Sequence, residues 1–225
     1  MRPERPIVCL VTDRRRLCTG CDEAGARQCL IAQVRAAVAA RLDIVQVRER
    51  DLAAVRLVAV VAEAMEIARG TATRIVVNDR LDVALAGRAD GVHLRADSIS
   101  AAAVRRIAPS GFLVGRSVHG GVEASSITGD IDYVIAGPVF PTASKPGATM
   151  LGESGLAAIV RAVGVPVLAI GGVTIDVMPH VAACGAAGFA AIGLFLGAAA
   201  PCRSGSLDRL VSAARASFDS TKRAS

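Results

Sequence analysis

Eight short apolar runs, each followed by a stretch of helical character, constrain this chain more than any other feature. They fall at 7–12, 43–48, 73–77, 90–94, 112–116, 131–136, 166–170 and 188–192, with helical segments such as 52–69 and 98–108 between them. Alternation of this kind signals βα units wound around a parallel sheet. Eight strands are the number that closes a (β/α)8 TIM barrel, and 225 residues suits one such α/β domain. Counts of seven or nine strands stay open, because strand ends read from sequence shift by about two to four residues. No linker divides the chain, so a single domain over 1–225 is expected, with a polar C-terminal tail from about 220.

Composition narrows the function. The chain is 52% hydrophobic and 3% aromatic, an Ala/Val/Leu/Ile mixture suited to buried strands and close-packed helices. No apolar run approaches the roughly 18 residues of a membrane span, so no membrane partner is expected. Met1-Arg2-Pro3-Glu4-Arg5-Pro6 leads into no long apolar core, and a cytoplasmic location is expected. Net charge is +6, but the arginines are scattered, and Arg14-Arg15-Arg16 is the one tight run. One tyrosine and no tryptophan leave little for base stacking, so no nucleic-acid partner is expected. Six cysteines occur, at 9, 18, 21, 29, 184 and 202. Cys18-Thr19-Gly20-Cys21 is a C-x-x-C without a second ligand pair; Cys29 could add a third ligand, but His93 and His119 lie far along the chain. Reduced thiols in a loop are the expectation.

Active sites of such barrels gather at the C-terminal ends of the strands. The seventh run stops at Gly171-Gly172 and the eighth at Ile192-Gly193. Glycines there leave bare backbone N–H groups that an anion can approach, and adjacent strand ends of this kind form phosphate cups. In Val45-Gln46-Val47-Arg48-Glu49-Arg50, alternation puts Gln46 and Arg48 on one side. If that side is the lumen, Arg48 needs an anion, supplied by phosphate, by Glu49 or by Asp13. Asn78-Asp79 at the third strand end suits Mg²⁺, or Asp79 caps the helix that follows. His93 reads equally as a catalytic group or as a packed histidine bonded to backbone. Ser117 and His119 have strand spacing, so Ser117 is read as a substrate contact and His119 as a general acid/base. The long segment from Gly137 to Gly152 reads as a lid, with Lys145 closing over an anion.

These strings together resemble the thiamine-phosphate synthase/TenI superfamily, from about Val8 to Gly197. The resemblance rests on Val11-Thr12-Asp13, the Gln-x-Arg-Glu-Arg string at 46–50, Val77-Asn78-Asp79-Arg80-Leu81-Asp82, Ala89-Asp90-Gly91-Val92-His93-Leu94, Gly115-Arg116-Ser117-Val118-His119, Gly137-Pro138-Val139-Phe140-Pro141-Thr142 and Ile170-Gly171-Gly172. Their order and spacing are more specific than any one of them.

The resemblance implies thiamine biosynthesis and a thiazole phosphate seated at Gly171, Gly172, Ile192 and Gly193. Two activities follow from it. A synthase would join hydroxymethylpyrimidine pyrophosphate to thiazole phosphate with Mg²⁺, using Gln46, Arg48, Asn78, Asp79, Ser117 and Lys145. Arg50 stands where that pattern has lysine. The second metal aspartate of that pattern falls on Ser98, with Asp97 one position short, so Asp79 and Asp97 are the metal candidates for a synthase. A TenI-type thiazole tautomerase, which needs no cofactor, matches in the Arg-Glu-Arg string, in Gly-Arg-Ser-Val-His and in Phe140-Pro141-Thr142-Ala143-Ser144-Lys145-Pro146-Gly147; His119 would move the proton. The family usually has serine where this chain has Gly193. Tautomerisation is the leading expectation, synthesis the alternative, and a non-catalytic ligand-binding or regulatory homologue a third. The expected partners are a phosphorylated thiazole, a pyrimidine pyrophosphate for the synthase, and further copies of the chain in a homo-oligomer.

Overall fold

The computed structural model describes residues 5–142, 147, 149–196 and 206–219. Lys145, Cys202 and the tail from about 220 lie outside the described residues. The strands are β1 (Ile7–Val11), β2 (Ile44–Val47), β3 (Arg74–Asn78), β4 (Gly91–Leu94), β5 (Leu113–Val118), β6 (Tyr133–Ala136), β7 (Val167–Ala169) and β8 (Gly188–Ala191). The helices are α1 (Arg14–Leu17), α2 (Glu23–Ala39), α3 (Ala54–Ala68), α4 (Leu81–Ala86), α5 (Ala101–Ile107), α6 (Gly121–Ser125), α7 (Gly152–Ala162), α8 (Met178–Ala183), α9 (Gly193–Leu196) and α10 (Ser206–Asp219). Every strand pairs in parallel with the next, and β8 returns to β1, with Ile7 opposite Gly188 and Leu10 opposite Ala191. The eight-stranded barrel expected from the apolar runs is therefore closed, with strand ends shifted by one or two residues.

Alternation along each strand divides the core in two. In β1, Val8 and Leu10 face outward and join the layer beneath the helices. Cys9 and Val11 face inward and meet Ile44, Val76, Tyr133, Ile135, Leu168 and Ala190 inside the barrel. On α3, Leu57, Val60, Val61, Ala64 and Ala68 are buried, a helical stripe that lies on the strands and needs no side-chain cap. α2 starts at Asp22, whose Oδ1 accepts from the Gly25 amide at 2.8 Å.

At the N-terminal ends of the strands, a carboxylate repeats every second strand. Asp43, Asp90 and Asp132 precede β2, β4 and β6 and accept from the amides of Val8, Ile75 and Val114 in the strand before. Each also pairs with arginine: Arg5 and Arg215 at Asp43, Arg74 at Asp90, Arg105 at Asp132. Four of the scattered arginines thus serve this stabilising face, opposite the end that carries the cavity.

Cys18 and Cys21, expected as reduced thiols, are joined by a disulfide. Cys18 ends α1 and Cys21 precedes the Asp22 cap of α2. The turn between them sets their Cα atoms 5.6 Å apart, within reach of an S–S bond.

Candidate active site

The C-terminal strand ends surround a cavity of about 840 Å³. Its wall includes Gln46, Arg48, Arg50, Asn78, Asp97, Ser117, His119, Gly171, Gly172, Ile192 and Gly193. Glycine cup, arginines and histidine thus share one space. Asp79 is not part of the wall; it faces Arg95 and Ser98.

Arg48 and Arg50 follow β2 directly. Among the described residues no carboxylate lies within ion-pair distance of either. Burial, and then the neighbouring Arg50 charge, push the Arg48 guanidinium below its ordinary range. A partly buried cation beside a second cation is the electrostatic signature of an anion seat. Glu49, one of the partners open to Arg48, is turned the other way. It accepts from Thr12 Oγ1 at 2.6 Å and from Arg14 Nη1 at 3.1 Å. Thr12 Oγ1 in turn accepts from the Arg48 amide at 2.9 Å. The side chains of Arg14 and Glu49 are 1% and 2% exposed, and Arg14 reaches on to Asp51 and Glu23. This buried knot fixes the β2–α3 loop and leaves Arg48 to the cavity.

Ser117 is held by His93, whose Nε2 lies 3.0 Å from Ser117 Oγ. His93 is therefore packed, but its partner is a hydroxyl rather than the backbone. Its ring stands 5.6 Å from that of Tyr133. Burial pushes its pKa from the ordinary 6.5 down to about 3. The unfolded chain takes up this proton near pH 6.5 and the native one only near pH 3, so stability is full above 6.5 and drains away as pH falls between those values. We expect a loss of about 1.4 kcal/mol per pH unit from this group. Urea unfolding at pH 7 and pH 4.5 checks it: His93→Gln should lose less stability than wild type, and parallel losses would exclude the assignment.

His119 sits past the end of β5, exposed at the rim. Its Nδ1 faces the Gly137 carbonyl. A carbonyl only accepts, so Nδ1 carries the proton and neutral His119 keeps Nε2 as an acceptor. Gly171 and Gly172 have φ of 93° and 64°. A Cβ on Gly171 would lie 2.7 Å from Pro138, and one on Gly172 would lie 2.4 Å from the Pro141 carbonyl oxygen. Glycine is demanded there by the segment 137–141, whose Val139 and Phe140 amides donate to Ile170 and Gly171.

Matching against protein-family models finds the family described as thiamine monophosphate synthase over residues 9–195. The chain belongs to that family. A thiamine-phosphate synthase of Methanoregula boonei is 44% identical over 165 residues, covering 72% of this chain and 76% of the relative. One of Roseiflexus castenholzii is 38% identical over 199 residues, covering 88% and 84%. Among solved structures, a thiamine phosphate pyrophosphorylase from Pyrococcus furiosus superposes with a TM-score of 0.77 at 28% identity, covering 95% of this chain and 96% of that one. Membership makes the chain one of an enzyme family of thiamine biosynthesis. The relatives carry the synthase name, so they favour the alternative over the tautomerase that led the sequence reading.

Within the family frame, two features escaped the sequence. Arg16, passed over as part of a basic run, lines the cavity, and its Nη2 lies 4.0 Å from where a Cβ on Gly193 would stand. The signal was position: Arg16 follows directly on the mouth of β1. Arg95 was also missed. Its Nη1 lies 3.5 Å from Asp79 Oδ2 and its Nη2 2.5 Å from Asp97 Oδ2. Asp79 Oδ1 accepts from the Ser98 hydroxyl. Asp79 does not cap α4; Arg80 occupies that position, and Asp79 has a left-handed φ of 66° that turns it toward the β4–α5 loop.

Proposed function

We propose that the protein is a thiamine-phosphate synthase. The observation that carries this is the pair of cations at the β2 mouth, Arg48 and Arg50, which form no ion pair among the described residues, the Asp13 and Glu49 charges acting on Arg48 only from further off, and which share a cavity with the glycines of the β7 and β8 mouths. One cavity with two anion seats suits two phosphorylated reactants. Thiazole phosphate rests by its phosphate on the main-chain amides at Gly171, Gly172, Ile192 and Gly193, with Arg16 above Gly193. The pyrophosphate of the pyrimidine substrate lies against Arg48 and Arg50. Gln46, whose Nε2 donates to Asn78 Oδ1 at 3.3 Å, and Ser117 offer polar contacts to the pyrimidine between them. Lys145 is proposed as a further pyrophosphate contact.

In the reaction the thiazole ring nitrogen bonds to the pyrimidine methylene carbon. The carbon–oxygen bond to pyrophosphate breaks, and the leaving oxygen keeps the electron pair. Arg48 and Arg50 stabilise the charge gathering there. The family implies Mg²⁺; Asp79 and Asp97, each now paired with Arg95, and the Ser98 hydroxyl bonded to Asp79 are the oxygen donors that would hold it beside phosphate oxygens. Bound there, the ion would neutralise departing pyrophosphate.

His119 favours a second reading, tautomerisation of the carboxythiazole phosphate, because its tautomer is fixed with Nε2 ready to take a proton. One assay series separates the two. Purified protein receives hydroxymethylpyrimidine pyrophosphate, thiazole phosphate and Mg²⁺, and thiamine phosphate and pyrophosphate are measured. Equal amounts of both products are expected. No product, with turnover of the carboxythiazole tautomer that His119→Ala abolishes, would replace synthesis by tautomerisation; no turnover of either would leave a binding protein.

A further inference from the structure

Away from the cavity floor, Cys18, Cys21 and Cys29 bring their sulfur atoms together, each Sγ within 4.8 Å of the others. Cys18 ends α1, Cys21 precedes α2, and Cys29 comes from the second turn of α2. The Cys18–Cys21 disulfide alone would satisfy a structural cross-link. It does not account for the third thiol, whose Sγ lies 3.0 Å from Cys18 Sγ.

We propose that the reduced form of this cluster is a binding site for one thiophilic divalent cation, with zinc as its natural class. Three thiolates around one zinc ion at about 2.3 Å stand about 3.8 Å from one another, so small side-chain rotations from the present positions suffice. An all-sulfur donor set selects soft ions over Mg²⁺ or Ca²⁺. Cys21 is exposed, which leaves the fourth position of a tetrahedron open to water. The start of the seventeen-residue α2 lies beside Cys21, and its dipole favours the thiolate. Reduction of the disulfide yields two thiols: two external thiols give two electrons and two protons and become a disulfide, or a phosphine gives the two electrons and becomes its oxide while water supplies the oxygen and both protons; metal binding then releases the protons. The bound ion would cross-link α1 to α2 two residues from Arg16, stiffening the segment that reaches the cavity.

The test uses the full chain, reduced with a phosphine and kept free of oxygen. Zinc is titrated in competition with a chromophoric chelator, and cadmium is added separately to read the sulfur-to-metal charge-transfer band. One ion per chain is expected. Cys29→Ser should weaken binding at least about 100-fold, since loss of a ligand exceeds the effect of losing its neighbours. Cys184→Ser should bind as wild type does. In the unaltered chain, one equivalent of zinc should protect residues 18, 21 and 29 together from alkylation, a readout that does not depend on a variant folding. Absence of binding, binding that Cys29→Ser leaves intact, protection of only two of the three, or equal affinity of the oxidised chain would each overturn the site.

Discussion

Arg48→Ala should lower kcat/KM for the pyrimidine pyrophosphate by about 10²–10³-fold, the size expected when one aimed cation is lost from a charge-stabilising site. The physical case rests on what surrounds the guanidinium. It is partly buried, Arg50 repels it, and Glu49 is engaged with Arg14 and Thr12. Desolvation is thus already spent in the empty protein, and a pyrophosphate recovers it. Arg48→Lys should retain charge but lose the bidentate fork, and fall between the two. Steady-state kinetics with each substrate varied in turn gives the check. KM for thiazole phosphate should change little, because that phosphate is assigned to the glycine cup. A kcat/KM within threefold of wild type would remove Arg48 from the pyrophosphate seat.

The strands and barrel were legible because parallel strands covered on both faces read as nearly continuous apolar runs. The cavity rim was legible as well, since strand ends are fixed once the strands are. Contacts made across the ring were harder. Arg14 and Glu49 are 35 positions apart, and nothing local in Arg14-Arg15-Arg16 distinguishes the buried arginine from the exposed one beside it. Asp79 reads as a helix cap or a Mg²⁺ ligand because Asp ahead of the largely apolar Leu81–Ala86 is a cap signal and an Asn-Asp strand end is an oxygen donor pair. Its left-handed backbone is set instead by the turn into α4 and by Ser98 and Arg95 arriving from the next loop. Cys29 was legible as a possible third ligand to Cys18 and Cys21, and the structure brings the three sulfur atoms together, but a fourth ligand was sought in His93 and His119, which lie far along the chain.

The second large effect concerns stability. Arg14→Met should destabilise the fold by about 3–5 kcal/mol, the cost of leaving one partner of a buried ion pair uncompensated. For a chain of this size that lowers Tm by on the order of 10 °C. Glu49 would keep Thr12 and the residue 14 amide but lose its cation. Burial already pushes the Glu49 carboxyl upward, so without Arg14 it should protonate more readily. Glu49→Gln in the Arg14→Met background should recover part of the loss, because the uncompensated charge is gone. Thermal melts of the single and double variants decide it. A double variant no more stable than Arg14→Met would mean that Arg14 acts through Asp51 and Glu23 rather than through Glu49.

Closure of the ring has a consequence for synthesis of the chain. β1 is made before β8, its neighbour in the ring, and the arginine after β1 hovers over the glycine after β8. A nascent chain lacking residues 188–193 has no mate for Ile7 and no floor beneath Arg16. Its contacts are of the long-range kind that form late. The phosphate seat proposed at the β7 and β8 mouths is therefore complete only once β8 has closed the ring.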